Sequence, residues 1–116
     1  MLAEILSDTL TDRGFEVALA YNGEQALQMA RTDHFDVIVT DVMMPRLDGF
    51  SLTRRLRSEG RNVPVLFLTA RSATEDVVQG FKVGGNDFLR KPFAIDELIV
   101  RVQALAGRME QAEDSD

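Results

Sequence analysis

Three residues have the types and spacing to do chemistry together: Asp41, Thr69 and Lys91. Asp41 follows the apolar run Phe35-Asp36-Val37-Ile38-Val39-Thr40 and opens Val42-Met43-Met44-Pro45-Arg46-Leu47-Asp48-Gly49. The run reads as a buried strand. The proline and the Asp-Gly pair stop it in a loop. Thr69 closes a second apolar run that begins at Val63, and Lys91 follows a short strand expected at 87–90. A carboxylate in such a place can ligate a metal or attack phosphorus. A hydroxyl and an ammonium beside it suit phosphoryl oxygens. Each residue alone has a plainer explanation: aspartate caps turns, threonine commonly ends strands, and lysine is commonly a solvated charge. Their recurrence at successive strand ends argues for one site.

The elements that must position them alternate along the chain. Residues 1–13 carry Leu2, Ile5, Leu6 and Leu10 at helical spacing, and Gly14 is the expected C-cap. Phe15, Val17 and Leu19 alternate, which predicts a strand over 15–21. Asn22-Gly23 is a turn signal before a helix at 24–32. Strands follow at 35–40, 63–69 and 87–90. Helices are expected at 49–58, at about 73–83 behind a Ser72–Glu75 capping box, and at about 94–109. The acidic stretch 110–116 is expected to fray as a tail or the start of a linker, leaving 1–109 as one domain. Buried strands alternating with helices specify a parallel sheet with helices on both faces. Such a sheet brings all three residues to one edge, where open α/β sheets place their chemistry.

Composition narrows the classes. A chain of 116 residues with 45% hydrophobic content has the size and core of one domain. With no cysteine, neither a disulfide framework nor a thiolate metal site is available. The absence of cysteine, of any run long enough to span a membrane and of a signal-peptide layout gives a cytoplasmic, membrane-free expectation. A net charge of −6 argues against direct binding of nucleic acid through its phosphates. His34 has no ligand partners near it in sequence and is assigned no role.

These motifs together resemble the receiver domain of bacterial two-component response regulators. The resemblance rests on Gly14-Phe15, Ala20-Tyr21-Asn22-Gly23-Glu24-Gln25-Ala26-Leu27, the stretch Asp36–Gly49, Val63-Pro64-Val65-Leu66-Phe67-Leu68-Thr69-Ala70-Arg71 and Gly84-Gly85-Asn86-Asp87-Phe88-Leu89-Arg90-Lys91-Pro92-Phe93. It spans residues 1 to about 108 in order. It implies a flavodoxin-like, doubly wound α/β fold, with Asp41 as phosphoacceptor and a histidine kinase as phosphoryl donor. It implies Mg²⁺ held by Asp41 and by the backbone carbonyl of Met43. Thr69 matches the switch hydroxyl, Lys91 the phosphate-binding lysine, Phe88 the switch aromatic and Ala70 the small residue beside it. Pro92 matches a proline that usually follows a cis bond. The stretch 68–71 and the charge pattern of the last helices resemble the transcription-factor branch, which implies an output or DNA-binding domain in the full-length protein. In that branch the face formed by helix 73–83, strand 87–90 and helix 94–109 makes a two-fold dimer. Lys82, Asp87, Glu97 and Arg101 are its candidate contacts here, with Asp87 and Arg101 expected to pair across the two copies.

The chain departs from the family at its start. The family's first, central strand and the acidic pair that ends it have no counterpart before the first helix. Truncation of the sequence, strand exchange with a second copy, or degeneration to a phosphate-independent receiver would each explain this. Truncation is the favoured reading, because the later motifs are intact. The metal site then keeps one carboxylate of three, so Mg²⁺ binding is expected to be weakened or absent. The leading function is a phosphorylation switch and not an enzyme. The first alternative is a phosphorylation-deficient interaction module. An aspartate-nucleophile phosphatase ranks below both, since it needs a second Asp two residues after the nucleophile, where Met43 stands.

Overall fold

The computed structural model describes residues 2–43, 46–70 and 74–114, and only the backbone of residues 2, 3 and 108–114. The element order is α1 (Leu2–Asp12), α2 (Gly23–Thr32), β1 (Ile38–Asp41), α3 (Gly49–Ser58), β2 (Val65–Thr69), α4 (Thr74–Lys82), β3 (Asp87–Arg90) and α5 (Ile95–Asp114). The three strands form one parallel sheet in the order β1-β2-β3. Every residue of β2 is buried, as befits a middle strand covered on both faces. Leu66, Leu68 and Leu89 pack with Leu98, Val102 and Leu105 of α5 on one side. Val65 and Phe67 pack with Val42 and Val83 on the other, beside the cluster of Leu27 and Ala30 from α2 with Leu52 and Leu56 from α3.

Local signals set the helix ends. Gly14 follows α1 with φ of +95°, a left-handed backbone that suits glycine. The Asn22 side chain accepts from Gln25 N at 2.9 Å, and Gln25 Oε1 accepts from Tyr21 N at 2.7 Å, so the start of α2 is capped reciprocally. The Asp48 side chain accepts from Ser51 N at 2.7 Å and caps α3. The expected cap at Ser72, the helix start at 73 and the motif residues Met44, Pro45 and Arg71 lie outside the described residues.

The structure corrects two expectations. Residues 15–20 form no strand. Among the described residues β1 pairs with β2 alone, so its outer edge offers 15–20 no adjoining ladder. Between that edge and residues 14–20 lies a cavity of about 570 Å³, whose lining includes Leu6, Leu10, Phe15, Val37, Val39 and Leu68. Among the described residues the alternation of Phe15, Val17 and Leu19 therefore has no neighbouring strand to hydrogen-bond with. Ile38 and Val39, which line this cavity, are only half-buried while β2 is closed. Secondly, α5 runs through the expected fraying point to Asp114. Glu110, Gln111 and Ala112 are good helix formers that extend the preceding turns.

One surface contact ties α2 to the end of α3. Arg31 Nε donates to Glu59 Oε1 at 2.9 Å, and Arg31 Nη2 donates to Glu59 Oε2. The Arg31 hydrogen bonds, helped by charge and by Arg61, hold the Glu59 carboxyl at about 2 against its usual 4.5. A carboxyl depressed in the folded state stabilises it above the unfolded value and loses that contribution as pH falls through the folded value. Glu59→Gln should therefore lower the melting temperature at neutral pH, with parent and variant converging as pH falls from about 4.5 to 2. Melting curves across that range check this, and a constant difference would remove the assignment.

Candidate functional site

The parallel register places the carboxyl ends of the strands together. Asp41 stands opposite Leu68, and Thr69 stands opposite Arg90, the residue before Lys91. Lys91 Nζ donates to Asp41 Oδ1 at 2.5 Å across fifty residues of sequence. Both side chains keep partial access to solvent, at 43% for Asp41 and 30% for Lys91. The carboxylate is thus reachable by a donor while its charge is already faced by an ammonium. Thr69 is buried, and its carbonyl accepts from Lys91 N at 2.9 Å, which docks the turn after β3 onto the end of β2. Ala70 is exposed at the next position. The Lys91–Pro92 peptide is cis.

The loop after Asp41 is held from behind. Val42 N donates to Leu68 O at 3.2 Å and Gly49 N to Val42 O at 2.8 Å. A Cβ on Gly49 would lie 2.4 Å from the Asp41 carbonyl oxygen, so only glycine lets the start of α3 approach so closely. Met43 projects into solvent at 68% exposure. Among the described residues no three or more Asp, Glu, His or Cys side chains gather to hold a metal. Asp41 supplies one carboxylate. Mg²⁺ commonly makes do with one or two carboxylates plus phosphate oxygens, so the donor set fits a weak site.

Phe88 pairs with Phe67 in the sheet register. Its ring lies 5.1 Å from Phe67, 5.8 Å from Phe81 and 6.5 Å from Phe50, centroid to centroid. On the neighbouring surface Arg101 Nη1 donates to Asp87 Oδ2 at 2.9 Å and Oδ1 at 3.1 Å, and Arg101 Nη2 to Glu97 Oε2 at 3.1 Å. These bonds raise the Arg101 pKa, Asp87 contributing most. The expected partners therefore meet within one chain, because Arg101 lies on α5 directly beside the start of β3. Lys82 is exposed at the end of α4.

Sequence reasoning missed Arg57. Its guanidinium donates to Gly84 O at 2.8 Å and to Asn86 Oδ1 at 3.1 Å, and burial pushes its pKa down. Asn86 Oδ1 also accepts from Val65 N at 2.9 Å. Together they fix the turn that delivers β3 and so Phe88 and Lys91. One arginine among four basic residues in 49–61 gave no signal for this.

Comparison with known proteins decides the family. The family model for the response regulator receiver domain matches residues 1–103. This chain belongs to the response regulator receiver domain family. It is 44% identical over 113 residues to response regulator MprA of Mycobacterium avium, covering 97% of this chain and 50% of that protein. The chain thus spans about half the length of the curated relatives it matches. Among solved structures, the receiver domain of Francisella response regulator 1452 superposes with a TM-score of 0.89 at 42% identity, covering 93% of this chain and 89% of that one. The receiver domain of sensor histidine kinase PA1611 from Pseudomonas aeruginosa PAO1 superposes with a TM-score of 0.78 at 36% identity, covering 91% and 86%. That structure has a magnesium ion coordinated in its active-site cleft. The receiver fold of these neighbours agrees with the flavodoxin-like architecture read from the sequence. Among the described residues no helix is long and apolar enough to cross a membrane.

Proposed function

We propose that this receiver domain takes a phosphoryl group on Asp41 from a phosphohistidine of a partner kinase and relays the change to its α4–β3–α5 surface. The Asp41–Lys91 contact at 2.5 Å carries the reading. An Asp41 carboxylate oxygen forms the new O–P bond as the N–P bond of the donor breaks, and the electron pair returns to the imidazole. Lys91 then follows the charge from the carboxylate to a phosphoryl oxygen. Thr69, at the end of the adjoining strand, donates its hydroxyl to another. Mg²⁺, held by Asp41 and the Met43 carbonyl, would offset phosphoryl charge when bound. The role is signalling, with self-phosphorylation and autodephosphorylation at Asp41 as its only covalent chemistry. An output domain that acts on transcription and a cytoplasmic setting belong to the same reading, and MprA, of which this chain covers 50%, has room for such a domain beyond its receiver.

The phosphorylated site reaches the surface through Thr69 and Phe88. Thr69→Ala and Phe88→Ala should each weaken phosphorylation-dependent association, and the double variant should lose much less than the sum. A double-mutant cycle in analytical ultracentrifugation reads this, and simple additivity would separate the two residues.

The surface itself is proposed as a weak two-fold dimer face. Lys82, Asp87, Glu97 and Arg101 give it two charges of each sign, as a self-complementary patch needs. Exposed ion pairs contribute only about 0.2–1 kcal/mol each, so association should be salt-sensitive. The Asp87–Arg101 pair must open within each chain to cross between copies. Asp87→Arg and Arg101→Asp should each abolish self-association, and mixing the two should restore it. Single variants that associate like the parent would rule out this face.

A further inference from the structure

The ring of Phe88 occupies space that one residue leaves empty. Phe50, Phe67 and Phe81 surround it on three sides. Gly80, buried in the last turn of α4, forms a further wall. A Cβ built on Gly80 would stand 2.3 Å from both Cε2 and Cζ of Phe88 and 3.2 Å from Cε1 of Phe50. Carbon atoms pack at about 3.5–4.0 Å, so ring and methyl cannot share the site. Glycine inside a helix is unfavourable relative to alanine. The helix backbone does not require it here: the glycines with positive φ are Gly14, Gly60 and Gly84. What Gly80 accommodates is therefore the ring.

We propose that Gly80 is a positioning residue for the switch, holding open the position that the Phe88 ring takes in this conformation and so setting the balance of ring positions that phosphorylation acts on. This rests on the reading of Phe88 as the mobile aromatic. A side chain at residue 80 has two ways to be accommodated. It pushes the ring outward past Phe81, which is 49% exposed, or it pushes α4 off the sheet. Both change the α4–β3–α5 surface before any phosphoryl group arrives. Gly80 thus ties the position of the ring to the helix face that carries Val78, Phe81 and Lys82, of which Val78 is 45% exposed.

The test is fluorine NMR on the full chain labelled with fluorophenylalanine, the residue 88 signal being identified by its loss in Phe88→Leu. Beryllofluoride with Mg²⁺ serves as the phosphoryl mimic, and its own bound fluoride signal reports occupancy of Asp41. In the parent, the Phe88 signal should move as bound fluoride appears. In Gly80→Ala it should start displaced and more accessible to a soluble paramagnetic agent. Its remaining response should fall about tenfold, the scale of population change that overpacking a filled site brings. A second comparison covers loss of folding in that variant. In a Phe88→Ala background, Gly80→Ala should raise the melting temperature and leave beryllofluoride affinity unchanged, because the helix gains alanine, the Phe88 ring is gone and Phe50, 3.2 Å away, has the space that ring vacated to shift into. A parent-like Phe88 signal and response in Gly80→Ala would overturn the role of Gly80. A Phe88 signal that stays fixed while fluoride binds would instead overturn the mobile-aromatic reading and the proposal with it. A chain extended at its N-terminus by a strand ending in two acidic residues that still binds no beryllofluoride would overturn the phosphoacceptor reading beneath both.

Discussion

Extending the chain at its N-terminus with an apolar strand that seats between residues 14–20 and β1, and that ends in two acidic residues, should stabilise the domain by several kcal/mol. The cavity of about 570 Å³ is already lined by Leu6, Leu10, Phe15, Val37, Val39 and Leu68, and β1 has a ladder edge turned toward it. Three or four aliphatic side chains buried there contribute about 1.5–3 kcal/mol each, roughly 5–12 kcal/mol together. That is comparable to the whole stability of a typical domain, about 5–15 kcal/mol. Residues 15–20 should then gain protected amides, because the strand supplies the ladder partner they lack. The two carboxylates would arrive beside Asp41, so Mg²⁺ affinity and labelling by acetyl phosphate should rise with stability. Urea denaturation and hydrogen exchange read the first effect, and magnesium-dependent labelling reads the second. An extended chain with the parent's denaturation midpoint would mean that the cavity does not accept a strand. Efficient magnesium-dependent labelling of the unextended chain would mean that the acidic pair is dispensable.

The second large effect is chemical. Asp41→Asn should abolish labelling by acetyl phosphate, since an amide nitrogen cannot form the acyl phosphate. Lys91→Ala should keep the nucleophile but remove the cation 2.5 Å from it. Loss of one well-placed donor to developing charge costs about 10²–10³ in rate, so labelling should slow by that order. Neither change should greatly alter folding, because a half-exposed ion pair contributes at most about 1 kcal/mol. Residual labelling of Asp41→Asn at the parent's rate would move the acceptor elsewhere.

The site was legible because strand ends are written locally. An apolar run that stops at Asp41, Thr69 or Lys91 says where each residue sits, and a parallel sheet then requires all three at one edge. The register and the Asp41–Lys91 contact agree with that logic. The strand expected at 15–21 failed for the converse reason. Alternation of Phe15, Val17 and Leu19 fixes which side chains share a face, but a strand exists only with a hydrogen-bonded neighbour, and neighbours are not local. The contact of Asp87 with Arg101 inside one chain was not legible, since sequence does not show that α5 carries Arg101 past the start of β3. Gly80 gave no signal either. A glycine inside a helix is a local cost whose compensation, the Phe88 ring, is visible only in three dimensions.

The central claim is that Asp41 becomes an acyl phosphate, and borohydride trapping tests it most directly. The chain is exposed to a phosphorylated histidine kinase domain or to acetyl phosphate with Mg²⁺, reduced, digested and mapped by mass spectrometry. Reduction of an aspartyl phosphate yields homoserine, whereas a free carboxylate is untouched. The account predicts homoserine at position 41, absent from Asp41→Asn and much reduced in Lys91→Ala. Homoserine at another aspartate, or label stable to reduction with Asp41 intact, would contradict it.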